Sequence, residues 1–219
     1  MLRMVIKALL DTDIGDDIDD AWALALCIRH PRIELMGVTT VRGETRTRAA
    51  LCRMLLESAG KKETEVVAGS RDGLDGVVDK YRPRYADALG DEEKRLESGR
   101  MDAVRFMAGM ARKHSGLTLI TIGPLTNAAR FSLEFPKEFS TLERHVMMCG
   151  ALIPGRLGPE YNASCDPRAT RIALSTRVPK LMVGLDVTLQ CPLSVNEIEN
   201  LLVKNTPLSA TLYRICLLY

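Results

Sequence analysis

An apolar run that breaks into a burst of acid constrains this chain more than any other feature. Met4 to Leu10 is apolar enough for a buried strand, and Ala21 to Ile28 repeats its apolar residues at helical spacing. The ten residues between carry six aspartates: Asp11, Asp13, Asp16, Asp17, Asp19 and Asp20. Carboxylates crowded at one strand-to-helix junction repel one another unless a cation or protons neutralise some of them. The junction also falls at the carboxyl end of the first strand, where open α/β sheets place their ligands. Capping and the helix dipole account for Asp16 to Asp20 as a solvated helix start. They do not account for Asp11 and Asp13, which in extended chain point the same way off the end of the strand. A divalent-metal site with a catalytic role is the expectation, because hard cations seek oxygen ligands.

The rest of the chain alternates. Ile33 to Thr40, Glu65 to Ala68, Leu117 to Ile122, Arg144 to Met148 and Lys180 to Leu185 read as strands. Thr45 to Ala59, with Ala49, Cys52, Arg53 and Leu56 on one side, and Met101 to Lys113 read as helices. Gly123-Pro124 reads as a helix start with proline in the first position, and Asp166-Pro167 as a cap followed by proline. Thr206-Pro207 opens a last helix. Gly69 to Gly99 has no clear period and reads as a long loop, as does Leu152 to Cys165. The spacing predicts an α/β fold with an open, mostly parallel sheet flanked by helices, in one domain over residues 1–219.

Totals exclude several classes. The 219 residues carry a formal net charge of only +2 and 5% aromatic residues, which argues against a nucleic-acid or acidic-membrane partner. No apolar run reaches transmembrane length, and the first residues do not pattern as a signal peptide, so a cytoplasmic protein is expected. The six cysteines form no CxxC pair and read as reduced thiols. His30 reads as the end of a helix, and His114 and His145 as surface or structural residues. The apolar Leu208 to Tyr219 carries no polar tail. It reads as a domain incomplete at its C-terminal end, with apolar surface left for self-association into a homo-oligomer.

Four separated motifs resemble one family in the same order. Asp11-Thr12-Asp13-Ile14-Gly15, continuing to Ile18-Asp19-Asp20-Ala21, resembles the amino-terminal signature of the inosine–uridine-preferring nucleoside hydrolases. Val38-Thr39-Thr40-Val41-Arg42-Gly43, Gly123-Pro124-Leu125-Thr126-Asn127, and Glu160-Tyr161-Asn162 with Cys165-Asp166-Pro167 resemble its later ones. The resemblance implies hydrolysis of the N-glycosidic bond of ribonucleosides, with one Ca²⁺ holding the attacking water and the ribose hydroxyls. It implies that Asp13 is the general base and a metal ligand, that Asp20 is the main metal carboxylate, and that the Ile122 carbonyl is a further ligand. Asp19, Glu160 and Asn162 would bind the sugar. Asp11, Asp17, Glu44 and Met148 are further candidates.

The pattern departs from the family in three places. Glu44 stands where an asparagine is common, Asp16-Asp17 is an extra acidic pair that leaves Asp17 a substitute metal ligand, and no downstream His-Asp segment follows. Two other readings stay open: a non-catalytic relative that binds metal or nucleoside weakly, and a phosphatase-like hydrolase with Asp11 as nucleophile.

Overall fold

The computed structural model describes residues 5–76, 82–96, 102–152 and 158–219. Within them, a six-stranded parallel sheet runs in the order β3-β2-β1-β4-β5-β6. The strands are β1 (Ile6–Thr12), β2 (Ile33–Thr40), β3 (Val66–Ala68), β4 (Leu117–Thr121), β5 (Arg144–Met148) and β6 (Lys180–Val183). In chain order the helices are α1 (Asp19–Arg29), α2 (Thr45–Ser58), α3 (Glu93–Leu96), α4 (Ala103–Lys113), α5 (Thr126–Glu134), α6 (Pro136–Phe139) and α7 (Tyr161–Cys165). They continue with α8 (Pro167–Ser175), α9 (Leu185–Thr188), α10 (Val195–Val203) and α11 (Pro207–Cys216), and a 3-10 turn covers Ala86–Glu92.

A parallel sheet is covered on both faces, so its central strands are apolar throughout rather than alternating. Ala8, Leu9 and Leu10 in β1 are all fully buried. Leu10 joins one core with Val38, α1, α2 and α11, while Leu9 joins the opposite core with Leu117, Leu119 and α4. One step along the strand thus changes face. Gly37 lets α4 approach β2, since a Cβ there would sit 2.6 Å from Phe106 Cζ. Connections leave β1 toward β2 and β3, and leave β4 toward β5 and β6. Strand order therefore reverses between β1 and β4, and the crevice outside their carboxyl ends is where such sheets bind ligands.

Several sequence expectations shift. The first strand runs on to Thr12, so Asp11 lies inside the sheet rather than after it. The sheet is parallel throughout. Pro124 does not open a helix: α5 begins at Thr126, because Gly123 to Leu125 are spent crossing over Asp13, whose Oδ1 lies 2.5 Å from where a Gly123 Cβ would stand. The expected loop from Leu152 contains α7, capped by Glu160. The expected last strand residue, Leu185, instead starts α9. Part of Gly69 to Gly99 is helical, and Met4 and Met101 lie outside the described residues. Asp166 caps α8 through Ala169 N, with Pro167 in the first turn, as read from the sequence. No helix among the described residues is long and apolar enough to cross a membrane.

Candidate active site

At the reversal point, a cavity of about 170 Å³ is lined by Asp13, Asp16, Asp17, Asp19, Asp20 and Ile122, with Met148, Glu160, Tyr161, Asn162, Leu185 and Thr188. Asp13 leaves the end of β1 and Ile122 the end of β4, while Glu160 and Asn162 come from the start of α7. Asp11 and Glu44 do not line it. Asp11 is fully buried, and Glu44 stands at the start of α2, where Thr47 Oγ1 donates to it at 3.4 Å.

Asp13 and Asp20 are almost fully buried, whereas Asp17 and Asp19 are exposed. Asp20 sits in the first turn of α1, and Thr12 Oγ1 donates to its Oδ1. That places Asp20, rather than Asp17, beside Asp13. Burial pushes the Asp13 carboxyl up to about 6, opposed by the Arg48 and Arg42 charges. Burial also holds Asp20 well above the usual carboxylate range, with the Asp13 and Asp19 charges adding to it. Asp19 is exposed as a residue, but partial enclosure of its carboxyl, and then the Asp17 charge, raise it. Two buried like charges held this way suit a hard dication, which would restore both ionised forms.

The available donors are all oxygens: the carboxylates of Asp13 and Asp20 and the Ile122 carbonyl. Among the described residues, no three His, Cys, Asp or Glu side chains meet closely enough to form a metal cage by themselves, so a cation here would draw on the backbone carbonyl and on substrate or water. The Ile122 carbonyl accepts from Asn162 Nδ2 at 2.9 Å, and a carbonyl oxygen can accept a second contact.

The α7 residues are fixed by the same carbonyl-and-cap logic. Glu160 Oε1 accepts from Asn162 N at 2.7 Å, and its Oε2 accepts from Ala163 N at 3.1 Å and Gly150 N at 3.0 Å. One carboxylate thus caps the helix and ties it to the exit of β5, leaving capacity on Oε1 for a ligand hydroxyl. Asn162 Nδ2 is committed to Ile122 O, to Met148 O at 3.3 Å and to Met148 Sδ at 3.3 Å. What Asn162 can offer a ligand is therefore its Oδ1.

Beneath the cavity, Asp11 joins two of the sequence motifs. Its Oδ1 accepts from Thr39 Oγ1 at 2.6 Å and Asn127 Nδ2 at 2.9 Å, and Asn127 also donates to Thr40 O and accepts from Ser70 N. Burial pushes the Asp11 carboxyl up to about 7. A group enclosed this way cannot reach a substrate, which removes the ground for a phosphatase nucleophile.

Sequence reasoning missed the cation that holds the acidic turn. Arg48 is fully buried in α2. Its Nη1 donates to Asp13 O and to Ile14 O (2.9 Å), its Nε to Arg42 O (2.8 Å), and its Nη2 to Asp16 Oδ2 (2.9 Å). The available signal was phase: Arg48 lies four and seven residues before the buried Cys52 and Leu55, on the apolar side of the helix. Tyr161 was also missed as a lining residue; Arg42 donates to its hydroxyl and lies 4.8 Å over its ring. His145 is buried, the structural of its two expected readings, and His30 ends α1 as expected.

A family model described as inosine-uridine preferring nucleoside hydrolase matches residues 8–219. Uridine nucleosidase 1 of Arabidopsis thaliana is 30% identical over 213 residues, covering 89% of this chain and 61% of the relative. A pyrimidine-specific ribonucleoside hydrolase of Escherichia coli is 30% identical over 204 residues, covering 84% and 61%. The solved structure of a plant nucleoside hydrolase superposes with a TM-score of 0.84 at 27% identity, over 98% of this chain and 70% of that one. The chain spans about three fifths of the length of these two curated relatives.

Proposed function

Because the chain belongs to the inosine-uridine preferring nucleoside hydrolase family, we propose that its site hydrolyses the N-glycosidic bond of ribonucleosides, giving ribose and a free base. The observation that carries this reading is the convergence of Asp13, Asp19, Asp20, Ile122, Glu160 and Asn162 on one cavity at the β1–β4 reversal. Loss of the base leaves an electron-poor, oxocarbenium-like ribose, and a cavity walled by carboxylates and an amide oxygen stabilises that charge.

The roles are those the family resemblance implies, given to residues that line the cavity. Asp13, buried at the cavity and held through its own carbonyl, takes the proton of the attacking water. Asp19, Glu160 Oε1 and Asn162 Oδ1 accept from ribose hydroxyls and orient the ring. Asp13, Asp20 and the Ile122 carbonyl are the residues that would hold Ca²⁺, with Asp17 at the margin of that set and Met148 lining the same cavity. Bound there, Ca²⁺ supplies a Lewis acid that lowers the pKa of water and neutralises the paired carboxylates. Relatives named for uridine and pyrimidine ribonucleosides make uridine the first substrate to try.

The test is base release from uridine and inosine with Ca²⁺ present, followed by absorbance. Wild-type protein is expected to release base and Asp13→Asn to lose at least about 10²-fold in kcat, the scale of a general base. A folded wild-type sample that releases none at any calcium concentration would favour the non-catalytic relative instead.

A further inference from the structure

We infer that Arg48 is a positioning residue that holds Asp13 and the α7 side of the site in register, an inference that rests on the hydrolase reading. Four observations converge on it. The guanidinium is fully buried in α2, a placement that is costly unless its donors find partners. Among its partners are three backbone carbonyls and one carboxylate, which come from two separate segments. The first is the acidic turn, through Asp13 O, Ile14 O and Asp16 Oδ2. The second is the turn between β2 and α2, through Arg42 O at 2.8 Å.

That second segment is conformationally tense. Arg42 has φ 69° and Gly43 φ 64°, and a non-glycine residue in the left-handed region persists only where its surroundings over-determine it. Here Arg42 N donates to Ser70 O and Gly43 N to Arg71 O, while Arg48 Nε takes the Arg42 carbonyl. The result aims the Arg42 side chain at Tyr161, which it meets both at the hydroxyl and over the ring. Tyr161 lies between Glu160 and Asn162. One guanidinium thus connects the base carboxylate, by way of its own backbone, to the sugar-binding side of the cavity.

The planar fork is what permits this. Five N–H donors in fixed directions can serve carbonyls from two loops at once, whereas the lysine ammonium is a compact charge on a flexible stem. Arg48→Lys keeps the charge and removes the geometry. A general base displaced by about 1 Å loses on the order of 10²-fold in rate, while contacts that bind ground-state sugar need change little.

The experiment compares wild type and Arg48→Lys by uridine kinetics, thermal melting and amide hydrogen exchange. The expected result is a folded variant whose kcat falls about 10- to 100-fold with KM within threefold. Exchange rises in peptides covering 13–17 and 42–43. A variant with wild-type kcat overturns the inference, as does a loss of kcat that only tracks the unfolded fraction, or unchanged exchange in both segments. If wild type turns over no nucleoside while exchange still rises at both segments, the hydrolase reading fails and the tie between the loops stands. Should Arg48→Lys not fold, Tyr161→Phe cuts the far end of the same tie. Raised exchange at both 42–43 and 13–17 supports the connection, and a rise confined to 42–43, or no rise, overturns it.

Discussion

His145 offers a prediction in which burial is converted into a pH dependence of stability. It lies in β5 between Leu119 of β4 and Lys180 of β6, fully buried, with its ring edge-on to Phe139 at 6.3 Å. Nε2 pairs with Thr121 Oγ1 at 3.0 Å, and Nδ1 is buried with no partner among the described residues. Protonation would place an imidazolium in the core. Burial, and then the Lys180 charge, push its pKa down to about 4 from the usual 6.5. The unfolded chain therefore binds the proton more readily than the folded one between those two values. Its contribution to stability is full above about pH 6.5 and is lost as pH falls through that window toward 4.

From pH 7.5 to pH 5 this one group should remove about 2 kcal/mol, taken from the two pKa values at about 1.4 kcal/mol per unit. His145→Gln removes the titration while an amide can still pair with Thr121. Urea unfolding of both proteins at the two pH values isolates the effect, because every other titrating group cancels in the difference. Wild type should lose about 2 kcal/mol more than the variant on acidification. Parallel losses in the two proteins would refute the reasoning, whatever constant offset separates them.

Gly123→Ala would put a Cβ 2.5 Å from Asp13 Oδ1, and should lower kcat by about 10²-fold in a protein that still melts cooperatively; unchanged kcat would show that Asp13 is free to move aside. Gly37→Ala would put a Cβ 2.6 Å from the Phe106 ring, far from the cavity. Urea unfolding should show a loss of about 1–3 kcal/mol with kcat unaltered, and a neutral result would mean the Phe106 ring yields without cost. Calcium at 100 times its dissociation constant should stabilise wild type by about 2.7 kcal/mol, seen as a raised melting temperature. Asp20→Asn should abolish that rise, and an equal rise in the variant would remove Asp20 from the binding set.

The period of the sequence made the sheet legible, and the site only in part. Ile33 to Thr40 and Arg144 to Met148 are strands to the residue, because buried parallel strands are short apolar runs with no competing pattern. Helices of four or five residues, such as α7 and α9, were not legible, since one turn carries no period. Asp13, Asp19, Asp20, Glu160 and Asn162 were picked out by motif and do share a cavity. Asp11 was legible as part of the same motif, yet its spacing of two from Asp13 did not show that one acid ends inside the sheet and the other outside it. Long-range partners were beyond any local pattern: the Arg48 fork reaches back 35 residues to Asp13, and Asn127 crosses 116 residues to Asp11. Only the topology brings those stretches together.

The proposed function requires that water attack the sugar carbon of a ribonucleoside at this cavity. Incubating the protein with uridine and Ca²⁺ in ¹⁸O-labelled water, and weighing the products by mass spectrometry, tests it most directly. Free uracil is expected together with ribose carrying one solvent oxygen at the anomeric carbon, and neither product from Asp13→Asn. Intact uridine from a folded, calcium-bound wild-type protein would contradict it, as would release of uracil that persists undiminished in Asp13→Asn.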